Sequence, residues 1–404
     1  MLKIRRLLLP LILIFILTSI LIGDCAWLAG WDKRIELAIN DYAGDIGASV
    51  TWFPATIHLK NANGGSTKVF LEVGANYRKI AITKVDGTTE LKGEIEKWSY
   101  DAGTPANSTA VIHTSADGWV INDDTKVYVY YDKDHADNDN INVIDTAAGA
   151  AVWDGNFKAV YHMVDATTST VLDSTSNSND GTKKAANEPL QVEGKVGKAQ
   201  SFDGVNDLMT LSSIALASSH QLTVEGIVNF PSAITSVEIL VEQSTNYNSN
   251  DAMIWLMGAY TTDKFSAGWR SNVGSVQYDV AEVDAALSQE TDYMISTVFD
   301  ATLAGTANTV KNYVNGGIAA DTTKEDTASD RAFGDFDWFL GDRSGGGVVP
   351  CKYILSEFRV SNTDRTAAWI KATYNSLFDS LFTYGDEETE GVVKTNVLFT
   401  FTNF

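Results

Sequence analysis

Glu94 and Glu96, in the stretch GEIEKW, stand two residues apart, the spacing that puts both carboxylates on one face of a β-strand. Paired carboxylates are the working groups of glycoside hydrolysis, one as acid and the other as nucleophile or base, about 5–10 Å apart. Strand-borne pairs of that kind read Glu-x-Asp-x-x-Glu, a string this chain lacks. Nothing near them marks a sugar cleft, so Glu94 and Glu96 read as the exposed acidic face of a strand. The five histidines, His58, His113, His135, His162 and His220, fall in no zinc spacing such as His-Glu-x-x-His. His162, within VYHM, reads as a structural strand residue. No Gly-x-Ser-x-Gly elbow occurs, and Cys351 has no base beside it, which leaves an inert thiol. These residues describe a chain without catalytic machinery.

Binding chemistry is better supplied. Sugars pack their C–H faces on aromatic rings and direct their hydroxyls to amides and carboxylates. The chain offers Tyr247, Trp255, Tyr260, Trp269, Tyr278 and Trp338, with Asn246, Asn248, Asn250 and Asp251 close by in sequence. Trp255, two residues from Met253 and from Met257, reads as inward-facing; Tyr247 and Trp269 adjoin polar loops and are expected at the surface. Tyr247, Asn248, Trp269 and Trp338 are the expected glycan contacts. For metals, DKDHADNDN meets only the first two ligand positions of an EF-hand loop. Asp132 and Asp134 fit, but Ala136 stands at the next position and Asp137 replaces the glycine.

Charge narrows the classes further. A formal net charge of −22 repels phosphate backbones and anionic lipid, which excludes nucleic acid as a partner. In residues 1–26, Lys3, Arg5 and Arg6 precede an apolar run from Leu7 to Leu17, the layout of a signal peptide or of an uncleaved membrane anchor. Either places the following chain outside the cytoplasmic membrane, secreted or at the cell surface, and confines membrane contact to that segment. With Cys25 and Cys351 as the two cysteines, packing rather than disulfides must hold the fold.

From Trp31 onward apolar side chains recur with a period of two, in runs such as RIELAI, KIAITKV, TKVYVYY, LTVEGIVNF, DYMISTVF and KYILSEFRV. Gly, Asn, Asp, Ser and Thr separate the runs, and the pattern is that of all-β sandwiches. One helix is predicted in NTDRTAAWIKATYNSLF, capped by Asn362 or Thr363, packing against the second sandwich and turning Trp369, Ala372 and Thr373 to a core. An acidic and then Ala/Gly-rich stretch divides the chain near residue 150. It leaves a β-sandwich over 27–150, a second over 151–382, and a tail or edge strand over 383–404. There VLFTFTNF alternates like a strand, most simply the last of the second sandwich, and offers a site of self-association. Asn315-Gly316 has the chemistry of a two-residue hairpin turn. DSTSNSNDGT, residues 173–182, has no apolar side chain, the composition of a linker.

The order of YHMVDATTST, LTVEGIVNF, TVKNYVNGG, FLGDRS and SEFRVSNTDRTAAWIKATYNS makes residues 159–377 resemble the laminin-G-like, concanavalin A-like jelly-roll domains of bacterial exported proteins. GWDKRIELAIN, VTWFPATIHL, DGTTELKGEIEKWS and TKVYVYYDKDHAD make residues 27–145 similar to the bacterial domain of unknown function 2341, which often precedes such a jelly roll. The resemblance implies that 173–182 is an ordered crossing between strands, with Asp173, Asn177 and Asn179 as turn formers. It also implies a structural Ca2+ on Asp173, Asp207 and Glu357, although Ser356-Glu357 stands where the family has Asp-Glu, which removes one carboxylate. The function expected is that of an exported, non-catalytic recognition or adhesion protein, binding a glycan or a cell-surface protein through the second domain. The alternatives are a structural component of a surface assembly and, by fold analogy alone, a glycoside hydrolase.

Overall fold

The computed structural model describes residues 26–40, 46–211, 214–234, 237–249, 253–259, 264–272, 277–303, 309–321, 332–343 and 348–391. The apolar leader, Cys25, Asn250, Asp251, Tyr260 and VLFTFTNF lie outside the described residues. The chain is all-β, with strands gathered into several sheets and three α-helices among the described residues.

RIELAI folds as its alternation dictates. Ile35, Leu37 and Ile39 of the strand Lys33–Ile39 are buried in a core shared by two four-stranded sheets. One sheet runs in the order Phe382–Thr389, Lys33–Ile39, Lys126–Tyr131, Ile80–Lys84. The other runs Ala55–Leu59, Thr109–Ser115, Lys92–Ser99, Ile141–Val143. The strand Phe382–Thr389 is the edge of the first sheet and pairs antiparallel with Lys33–Ile39, Ile39 facing Phe382 and Lys33 facing Thr389; the strand expected in VLFTFTNF lies outside the described residues.

The larger sandwich has an eight-stranded and a nine-stranded sheet. Phe202, Leu222, Val224, Ile254, Trp269, Phe299, Trp338, Tyr353 and Phe358 meet in its core. Asn315 and Gly316, at φ +52° and +78°, make the expected hairpin turn between Val310–Val314 and Gly317–Asp321. Residues 173–182 are ordered. Asp173 accepts bonds from the backbone N–H of Val160, Thr175 and Asn179 and from Thr175 Oγ1, while Asn177 and Asn179 donate to Lys158 O.

The predicted helix is Ala367–Leu377, but its cap is Thr366, whose side chain accepts from Trp369 N. The earlier candidates are held elsewhere: the Asn362 N–H donates to Asn156 O, and Thr363 O accepts from Thr223 Oγ1, which keeps this segment out of the helix. The helix belongs to both halves of the molecule. Trp369 and Ala372 enter the smaller core, while Ile370 and Leu377 pack with Ile227, Met294, Val298 and Tyr313 on the outer face of the eight-stranded sheet.

Candidate functional site

The register of three neighbouring strands sorts the aromatics of the larger sandwich. Ile254 lies opposite Trp269 and Trp255 opposite Gly268, so Trp269 turns inward and Trp255 outward. This reverses the expectation for both. Trp269 and Trp338 are 1% and 0% exposed in the core and present no face to a sugar. Tyr247 is half-buried and Asn248 exposed on the loop after Glu238–Gln243; the Tyr278 side chain lies outside the described set.

The outward row runs Phe339, Glu242, Trp255, Gly268, Val280 across the nine-stranded sheet. Gly268 is required there, since a Cβ would fall 2.4 Å from the Trp255 ring and 2.7 Å from Asp279 O. Above this row the Tyr247 ring lies between two guanidinium groups, Arg343 at 4.2 Å and Arg270 at 4.6 Å from its centroid. Glu242 accepts from Ser244 Oγ at 2.7 Å and has Arg343 Nε 3.3 Å from its Oε2. Burial pushes its pKa up to about 7 against the pull of Ser244 and the two arginines. Glu242 Oε2, Arg270 Nε and Arg343 Nε are buried yet make no hydrogen bond. Carboxylate, guanidinium and ring edges thus converge with bonding capacity unspent.

Sequence reading missed a second polar cluster. Glu94 and Glu96, expected at an exposed face, have fully buried side chains, because that face of the smaller sandwich packs against the outer face of the eight-stranded sheet. Thr56, His113 and Glu94 form one row across the smaller sandwich's sheet. From the other side come His162, which follows Phe157–Tyr161, and Glu357 and Arg359 of Lys352–Ser361. His113 Nε2 lies 2.8 Å from Glu96 Oε2, and His162 Nδ1 lies 2.9 Å from Glu357 Oε2 and 3.7 Å from Glu96 Oε2. Glu94 Oε2 accepts from Trp153 Nε1 at 2.6 Å and stands 3.5 Å from His162 Nε2. Arg359 Nε donates to Glu357 Oε1 at 2.8 Å. Burial pushes Glu96 up to about 8 and His113 well down. For His162 burial acts downward, but Glu357 and Glu96 prevail and hold it well above the usual imidazole range; Glu357 in turn, despite burial, is pulled to about 2 by His162 and Arg359. Nothing in sequence links residues 94, 96, 113, 162 and 357, and the two-residue Glu spacing was the one signal available.

The residues named for calcium do not fit it. Four donors occupy Asp173's oxygens, Asp207 Oδ2 accepts from Asp203 N at 2.8 Å, and Glu357 is committed to His162 and Arg359. Among the described residues the one metal-ligand grouping is Glu96, His113 and His162. Asp132 Oδ1 accepts from Asp134 N in a tight turn. Cys351 is buried, and burial raises its thiol pKa well above the ordinary value. A surface cleft bordered by Trp52, Asp154, Arg365 and Trp369 also opens at the junction, but its charged groups already bond each other, Arg365 Nη1 to Asp154 Oδ2 at 2.7 Å.

No family model and no curated protein matches the chain. Among solved structures it is similar to domain 4 of a GH43 extracellular arabinanase from Geobacillus stearothermophilus in complex with arabinotriose. Identity is 18% and the TM-score 0.40, over 54% of this chain and 97% of that one. It is similar also to the binding domain of Paraclostridial Mosquitocidal Protein 1, at 12% identity and TM-score 0.44, over 55% of this chain and 53% of that one. The botulinum neurotoxin serotype D ligand binding domain in complex with N-acetylneuraminic acid matches at 8% and 0.42, over 55% and 50%. The chain thus spans about half the length of these two toxin domains. At this level of similarity they assign no ligand, and the sites rest on their own geometry.

Proposed function

We propose that this is an exported, non-catalytic recognition protein that binds a saccharide on the outer face of its nine-stranded sheet, around Glu242, Tyr247, Arg270 and Arg343. One observation carries the reading: Arg270 Nε and the ion-paired Glu242 Oε2 and Arg343 Nε, 3.3 Å apart, are buried without hydrogen bonds beside the half-buried Tyr247 ring. A hydroxyl-bearing ligand adds a donor for Glu242 Oε2 and an acceptor for Arg270 Nε, and its C–H face suits the Tyr247 ring. The basic n-region and apolar run of the leader support export. A glycan array followed by calorimetric titration tests the proposal. Tyr247→Ala and Arg270→Gln should each weaken binding of the selected glycan about tenfold to a hundredfold, the worth of one charged hydrogen bond. Undiminished binding by both folded variants would place recognition elsewhere.

A further inference from the structure

We propose that Glu96, His113 and His162 bind a Zn2+ ion that joins the two sandwiches. The ligating atoms of Glu96, His113 and His162 lie within 4.8 Å of one another. The separations of 2.8 Å from His113 Nε2 to Glu96 Oε2 and 3.7 Å from Glu96 Oε2 to His162 Nδ1 bracket the roughly 3.3 Å edge of a tetrahedron with bonds near 2.0 Å. Each histidine also has a partner on its far nitrogen: His113 Nδ1 lies 3.1 Å from Thr56 Oγ1, and His162 Nε2 faces Glu94, itself fixed by Trp153. That is the orienting arrangement of metal-binding imidazoles. Charge agrees, for three carboxylates, Glu94, Glu96 and Glu357, meet one guanidinium, Arg359, away from water. In the forms that ligate a metal, with both imidazoles neutral and the carboxylates ionised, two formal negative charges remain, and a divalent cation offsets both.

The ligand set selects the ion. Two imidazoles and a carboxylate suit zinc, whereas calcium needs six to eight oxygens. Glu94 Oε1 and Glu96 Oε1 are buried without hydrogen bonds, independent signs that the cluster lacks a partner. Gly197, at φ +52°, closes the site, since a Cβ there would fall 1.9 Å from Glu96 Oε1. Glu96 and His113 come from the smaller sandwich and His162 from the larger, so the ion enters as the halves close and serves structure rather than catalysis.

The test uses the full exported chain, purified from zinc-supplemented medium and dialysed. One equivalent of zinc per chain is expected, and replacement by Co2+ should give the intense visible bands of tetrahedral cobalt. His113→Gln and Glu96→Gln should lower zinc affinity at least tenfold, while His135→Gln, which stacks on Trp31 far from these ligands, should not. Chelator should lower the melting temperature of the wild type. If the variants fail to fold, the cobalt spectrum of the wild type decides alone. A chain without stoichiometric zinc, whose melting ignores both added Zn2+ and chelator and whose cobalt spectrum is that of the aqueous ion, would overturn the proposal.

Discussion

Glu242 and Glu357 are both buried glutamates beside arginines, yet burial prevails at one and the charged partners at the other. Glu242 has one hydroxyl donor and an arginine at 3.3 Å, so desolvation dominates and its pKa rises to about 7. Glu357 has His162 and Arg359 in direct contact and stays ionised. The raised value at Glu242 makes a pH-dependent contribution with a definite sign. The folded protein holds this proton more tightly than the unfolded chain, whose glutamate ionises near 4.5. The stabilisation is therefore complete below pH 4.5, declines as pH rises toward 7 and is absent above, a loss of about 3 kcal/mol. Guanidinium unfolding at pH 5 and pH 8 should show a smaller difference for Glu242→Gln than for the wild type. Equal differences would mean that Glu242 ionises normally.

At the scale of elements, the strand Phe382–Thr389 closes the smaller sandwich's sheet although it lies some 350 residues beyond its partner Lys33–Ile39. Side chains reinforce the pairing: Arg34 Nε donates to Glu388 at 2.9 Å and Tyr131 Oη to Glu387 at 2.7 Å. A chain ending at Leu381 loses these bonds and leaves Lys33–Ile39 as a bare edge. Amide hydrogen exchange should then accelerate at least tenfold in Lys33–Ile39 and stay unchanged in Asp292–Asp300, which is central to the eight-stranded sheet. Unchanged protection in Lys33–Ile39 would show that the pairing contributes nothing.

At the scale of the molecule, the two sandwiches share too much to unfold apart. The Ala367–Leu377 helix fills both sides, the Arg365–Asp154 pair is bidentate and buried at 2.7 and 2.8 Å, and the Glu96–His113–His162 cluster draws on both halves. Separating them would expose apolar side chains and unpaired charges together. Scanning calorimetry should give a single endotherm, and Trp369→Ala should shift the whole of it downward. Two well-separated transitions would refute this coupling.

The sequence by itself determined what depends on near neighbours along the chain. A period of two made RIELAI, TKVYVYY and LTVEGIVNF strands, Asn315-Gly316 a hairpin turn, and Ala367–Leu377 a helix, because backbone sterics and alternating burial act over a few residues. That Tyr247 stays outside the large core was legible because its loop is polar. Only the tertiary structure decided which face each residue took. One step of register sent Trp269 into the core and Trp255 out, since neighbouring strand residues point to opposite faces. Likewise, whether Glu94 and Glu96 met water or a second sandwich depended on a surface supplied by residues 162 and 357, and a contact between faces leaves no periodic mark on either strand.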